Sequence, residues 1–262
     1  MNWLRRINII LCLPLLACNT IEAPEDFDAL TSYLYKNLPT EDPAVLQVGM
    51  ENMLVWLNEN HDTLEEGYSV NGLTLEAIQT VHPDLEELSL MGAALSMDIR
   101  HDIDMVSQLL FLEGYNDDPP EPDANSWHIR RYNEDPECFV SKECDMLSWN
   151  SNIRTIMPLN IAIETLLAGH VRWVETSAGP ALVQRRWFTS DPVVSVNWAQ
   201  LKAEYALKMS FPLAEGGSRR VEINWVDIRI GDIPVSEDIA LLLGLNAIRD
   251  NINGLNNKEP EL

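Results

Sequence analysis

Hydrophobic positions change period twice along this chain. Phe27, Leu30, Leu34 and Leu38 recur at helical spacing and Pro39 closes the run. A second helix follows, with Asp42 suited to cap it, Pro43 to its first turn, and Val45, Leu46, Met53, Leu54 and Leu57 forming its stripe. From about residue 85 the period drops to two: Met91, Ala93, Leu95, Met97 and Ile99 alternate with Leu90, Gly92, Ala94, Ser96 and Asp98, which predicts a strand. A helix from His101 to Glu113 is expected next, with Ile103, Val106, Leu109 and Leu110 on one side. Gly114 to Asn125, with Pro119, Pro120 and Pro122, reads as a polar turn region.

Beyond it the pattern is mostly of strands. Leu147 to Met157 alternates and Pro158 ends it, while residues 160 to 168 fit a short helix or a strand. Val171 to Glu175 and Ala181 to Thr189 predict a hairpin around Ser177-Ala178-Gly179-Pro180, which sends Arg185 and Arg186 to opposite faces. The clearest strand is Leu201 to Leu213, whose Ala203, Tyr205, Leu207, Met209 and Phe211 form one apolar face. Its partner, Arg219 to Ile230, changes phase after Trp225, so a bulge is expected near that residue. A last helix starts after Ser236, with Leu241, Leu242, Leu245, Ile248 and Ile252 on one side and Gly254 as its expected end.

These elements predict an α+β fold: an N-terminal helix pair, then a curved antiparallel sheet packed on a C-terminal amphipathic helix. The expected division is residues 27–60 as a helical subdomain, 61–84 as a connecting segment, 85–255 as the α+β sheet domain and 256–262 as a polar tail. Over 85–255 the element order resembles the helix-grip domains of the START and Bet v 1 kind. That resemblance implies a sheet wrapped around the last helix and an apolar cavity between them, with Tyr205 and the neighbours of Leu207 as its lining.

The net charge is −23. Such a surface repels phosphates, so no nucleic acid partner is expected, and anionic headgroups are unattractive for the same reason. No cofactor is implied either, because GxSxG, HExxH, a phosphate-binding glycine loop and a CxxC pair are all missing. Metal candidates are Asp98, His101 and Asp104, of which His101 and Asp104 share a helix face; Asp102 reads as a cap. Asp117, Asp118, Glu121 and Asp123 could offer oxygen ligands to calcium, without the EF-hand spacing. Six tryptophans on or beside strands, Trp127, Trp149, Trp173, Trp187, Trp198 and Trp225, suit a sheet core or a pocket lining.

The start of the chain supplies an address. Arg5 and Arg6 precede an apolar run, Ile7 to Leu16, that is shorter than the roughly 20 residues a membrane span needs. The run ends in Leu15-Leu16-Ala17-Cys18, which resembles the lipobox of bacterial lipoproteins. The resemblance implies that 1–17 is a cleaved signal peptide, that Cys18 carries the lipid (palmitate among its acyl chains), and that 18–26 is a tether. Asn19 stands where an aspartate would retain such a protein at the inner membrane, so the outer membrane is the implied site. Cleavage removes two arginines and no acid, moving the charge from −23 to −25. With Cys12 removed and Cys18 acylated, Cys138 and Cys144 remain; outside the cytoplasm such a pair is expected to form a disulfide, in a pinched loop instead of a helix.

The functional expectation is a membrane-anchored envelope lipoprotein with a non-enzymatic module for an apolar ligand or an envelope protein partner. A structural module without a cavity is the alternative. A hydrolase with a dispersed site would need an enclosed polar cluster at His101 or His170.

Overall fold

The computed structural model describes residues 21–112, 126–157 and 160–259. Helix α1 (Phe27–Asn37) starts where the Asp26 carboxylate accepts from Ala29 N at 3.0 Å, and it buries Phe27, Leu30 and Leu34. Helix α2 (Pro43–Glu66) starts the same way at Asp42 and continues six residues past Asn60, where the backbone kinks. Strand β1 (Tyr68–Val70), helix α3 (Leu75–Gln79) and strand β2 (Met91–Ile99) follow. Asp102 caps helix α4 (Ile103–Phe111) by accepting from Met105 N at 2.8 Å.

The remaining elements are β3 (Trp127–Tyr132), α5 (Pro136–Val140), β4 (Met146–Met157), β5 (Ile161–Thr176), β6 (Gly179–Phe188), β7 (Val193–Val194), β8 (Ala199–Pro212), β9 (Ser218–Ile230), β10 (Ile233–Pro234) and α6 (Glu237–Asn257). The ambiguous stretch 160–168 therefore resolves as strand. Its partners decide this, because β4 pairs along it from Met157↔Ile161 to Met146↔Arg172. Helix α6 passes Gly254 and ends at Asn257; nothing lies within 4 Å of where a Gly254 side chain would start, so the glycine sits on an open face of a continuing helix.

All strands join one curved antiparallel sheet, ordered β1-β2-β9-β8-β6-β5-β4-β3, with β10 on β9 and β7 on β5. Each face carries its own core. On one, Tyr205, Leu207, Met209, Val221, Ile223 and Trp225 pack under α1, α2 and α3. On the other, Ala93, Leu95, Leu147, Val171 and Leu182 pack against Ile248 and Ile252 of α6 and Val106 and Leu109 of α4. Close approach of α6 depends on Gly244, where a side chain would start 2.8 Å from the Ala93 Cβ.

Two local expectations change. The irregularity lies in β8, between Leu201 and Ala203, where Lys202 is extra, and not near Trp225. A bulge rotates the strand that contains it, so Leu201 joins Ile228 on the α6 side while Ala203 stays under the helical layer. The phase change in β9 thus persists: Trp225 lies in the core under the helical layer, while Val226 and Ile228 lie half-buried on the opposite face. The second concerns the cysteines. Cys138 and Cys144 are bridged with Cα atoms 5.3 Å apart, but Cys138 lies in the single-turn helix α5, and the chain doubles back only afterwards, through Lys142 at φ 63°. Cys144 N then bonds to Cys138 O at 3.0 Å. The bridge closes a short ring, so Cys138→Ser with Cys144→Ser is expected to cost about 2 kcal/mol, read as a lower urea midpoint at unchanged slope.

Candidate functional site

The sheet forks. Strands β6 and β8 pair from Leu182↔Ser210 to Trp187↔Tyr205 and then part. Strand β7 continues the line of β6 and stays with β5 at Glu164 and Ile163, whereas β8 keeps to β9 as far as Ala199. A cavity of about 410 Å³ occupies the fork, within the size range of small-molecule sites. Leu85 and Leu88, from the segment between α3 and β2, join Phe188, Ala203 and Tyr205 in its apolar wall. Because the cavity straddles the sheet, Glu204 from the α6 side and Tyr205 from the helical side both line it.

Tyr205 is 2% exposed and its ring packs edge-on to His82 and Tyr35. Burial pushes its hydroxyl pKa up to about 12. The hydroxyl makes no hydrogen bond with the described residues. Glu204 binds Arg186 through Oε1, which leaves Oε2 without a partner among the described residues. Lys202, Asp84 and Asp191 are exposed at the rim.

Behind this wall lies Arg185, buried on the face opposite Arg186. It donates to Tyr35 O at 2.9 Å and Thr80 Oγ1 at 3.0 Å, and its guanidinium lies over the rings of Tyr35 and Trp187. All these acceptors are neutral, and burial lowers its pKa. His170 Nδ1 is 3.4 Å from Arg185 Nη2, and burial, then the Arg185 charge, push the imidazole down to about 4. The cross-strand neighbour of His170 is Ser148, but Ser148 Oγ bonds Glu134 Oε1 and Oε2 at 3.0 and 2.9 Å. The hydroxyl reaches the carboxylate directly, without the imidazole between them that a hydrolytic triad requires.

The face gripped by α6 is polar in its centre. Lys208 Nζ lies 2.8 Å from Glu222 Oε2, Arg220 Nε lies 3.0 Å from Glu222 Oε1, and Arg220 Nη1 donates to Ser210 Oγ at 2.8 Å. Burial lowers the Lys208 pKa to about 8. Burial raises the Glu222 carboxyl, but Lys208 and Arg220 outweigh it and hold the group below its usual range.

The residues singled out by sequence fall elsewhere. Asp98 takes a two-pronged bond from Arg219 at 2.7 and 3.0 Å, and Asp104 pairs with Lys142 at 2.6 Å. Each carboxylate thus has its own cation, His101 Nε2 is buried beside neither, and no group of three or more metal-binding side chains forms among the described residues. Cys18 and the acidic set Asp117, Asp118, Glu121 and Asp123 lie outside the described residues. Tyr205, expected to line a cavity against α6, faces the N-terminal helices and lines the fork instead, while Ala206 and Lys208, the neighbours of Leu207, lie on the α6 side. Trp149, Trp187 and Trp225 are core residues, while Trp198 is exposed. Sequence reasoning missed Lys202 and Glu204, whose one signal is a charged pair at the start of an otherwise apolar alternation.

No family model matches the chain, and no curated protein matches it. Among solved structures it is similar to the lipid transfer and protein localization domain of human StarD13 (DLC2). The identity is 10%, the alignment covers 80% of this chain and 97% of that one, and the TM-score is 0.39. A protein of Chromobacterium violaceum, CV1439, matches at 12% identity over 64% of this chain and 99% of that one, with a TM-score of 0.31. At these scores neither likeness bears on function, and the architecture stands on its own strand pairings.

Proposed function

We propose that this chain is an envelope lipoprotein, anchored at the outer membrane through Cys18, whose α+β domain is a non-enzymatic binding module for an apolar ligand. The fork cavity carries the reading. It has an apolar wall continuous with a hydrophobic core and a volume suited to a small molecule, with polar and charged residues completing its lining. The anchor is supported by the Leu15-Leu16-Ala17-Cys18 run, and the surface charge leaves membrane attachment to acyl chains.

Native mass spectrometry of the protein extracted from its own membrane is expected to show a stoichiometric apolar adduct beyond the acyl anchor. The anchor itself should disappear in Cys18→Ser, read by loss of palmitate labelling. Recovery of an acylated but otherwise empty monomer from several preparations would count against ligand carriage and leave the anchor standing.

A protein partner is the second reading. Ile230 and Ile233 face each other across the β9–β10 turn, and Ile239, Leu242 and Leu243 follow on the first half of α6, all about half exposed or more. Apolar side chains gathered in this way mark contact surfaces more often than scattered ones do.

A further inference from the structure

We propose that the fork binds a short extended peptide, apolar at alternate residues and basic at its ends, as an added strand beside β8. The inference rests on the reading of the fork as a ligand site and names the class of ligand it takes. Among the described residues the last pair between β6 and β8 is Trp187↔Tyr205, while pairing of β8 with β9 runs on to Ala199↔Ile230. From Glu204 back to Ala199, β8 therefore has a strand on one side only. Lys202, the extra residue of the bulge, has a register partner on neither side. Such an edge presents unpaired backbone N–H and C=O groups, which an incoming strand satisfies. This one lies inside the sheet, and the cavity takes the place of the missing strand, lined along β8 by Lys202, Ala203 and Glu204.

The opposite bank is held away from β8. Thr189 N donates to Leu166 O and Ser195 N to Ala162 O, both at 2.9 Å, so the connection from β6 through β7 stays tied to β5. The lane is closed at one end by the Trp187↔Tyr205 pair and at the other by residues 195–198, which join the two banks. Its occupant is short, because the stretch from Ala199 to Glu204 faces no more than about five extended residues. Side chains of a strand alternate between faces, and one row would meet Leu85 and Leu88, which already pack on the core beneath the helices. Charge sets the ends. Arg186 offsets Glu204, which leaves Asp84 and Asp191 at the rim against Lys202, in a chain of charge −23. Basic ends complement that rim.

The test titrates the membrane-extracted protein, held in amphipol, with acetyl-Lys-Leu-Thr-Leu-Lys-amide and separately with 1-octanol by calorimetry, and follows amide hydrogen exchange in β8. The peptide is expected to bind and to slow exchange across residues 199–204. Methylating the backbone nitrogens of its three central residues keeps the side chains and removes the donors, and should weaken binding at least about tenfold, the worth of one or two hydrogen bonds. Glutamate in place of both lysines should weaken it about threefold at low salt. Leu88→Trp, which fills the cavity, should abolish binding. A methylated peptide that binds as tightly as the parent, a bound peptide that leaves exchange in β8 unchanged, or octanol bound where the peptide is not, overturns the added strand and leaves the fork an apolar site. A glutamate-ended peptide that binds as tightly overturns the basic ends. Binding of neither probe, or binding that survives in folded Leu88→Trp, overturns the fork as the ligand site.

Discussion

Glu222→Ala is expected to destabilise the protein by about 3–5 kcal/mol, the cost of stripping a buried ion cluster of its shared partner. Among the described residues Glu222 is the carboxylate shared by Lys208 at 2.8 Å and Arg220 at 3.0 Å, and all three side chains are buried between the sheet and its covering helices. Without it two cations face each other with Ser210 as the remaining acceptor of Arg220. The urea midpoint should drop with the slope unchanged. Replacing the whole cluster, Lys208→Met with Arg220→Met and Glu222→Leu, should recover most of the loss, because an apolar set of similar volume carries no desolvation cost. A Glu222→Ala loss below about 1 kcal/mol would show that water reaches the cluster and screens it.

Acid is expected to unfold the protein earlier than its carboxylates alone require, through two histidines. His128 is pushed down to about 3, by burial first and then by Arg130 and Arg186; His170 goes to about 4, by burial and then Arg185. In the unfolded chain each titrates near 6.5. Below that pH the unfolded chain takes up protons that the folded protein refuses, so the stability these rings contribute is present above about 6.5 and falls as the pH drops towards their folded values. Each ring adds a slope of at most about 1.4 kcal/mol per pH unit, lessened by partial solvent screening. Unfolding free energies measured from pH 7 to 5 should decline, and His128→Gln with His170→Gln should flatten the decline. An unchanged slope in that double variant would place the acid sensitivity elsewhere.

The order of elements was legible in the sequence wherever one face of an element is apolar. Phe27 with Leu30 and Leu34, or Tyr205 with Leu207 and Met209, state their period and their buried side in the same residues. The other face was not legible. Lys208, Arg220 and Glu222 read as the solvent side of an amphipathic hairpin, since alternation reports that neighbours differ and not that both sides are covered. Burial there depends on α6 and α4, separate elements that pack across the sheet. The candidate site was hidden for a related reason. Tyr205 looks like any core aromatic, and its open hydroxyl follows from where β6 stops pairing with β8. Asp98, His101 and Asp104 were close in sequence, but Arg219 and Lys142, distant in the chain, claim the two carboxylates.

The joint between β2 and β9 has a consequence for how the molecule forms. It pairs Met91 with Val226 and Ile99 with Ser218, so the side of the sheet next to β1 is built from segments more than a hundred residues apart. Closing so long a loop costs entropy before any contact repays it, and folding rates fall as such distant contacts come to dominate. Strands β3 to β8 can assemble hairpin by hairpin, but β2 has its place beside β9 only once that strand has arrived. Until then the apolar residues of α1, α2 and β2 lack the surface they pack on, and the chain depends on completing its last third before those residues find one another on neighbouring molecules.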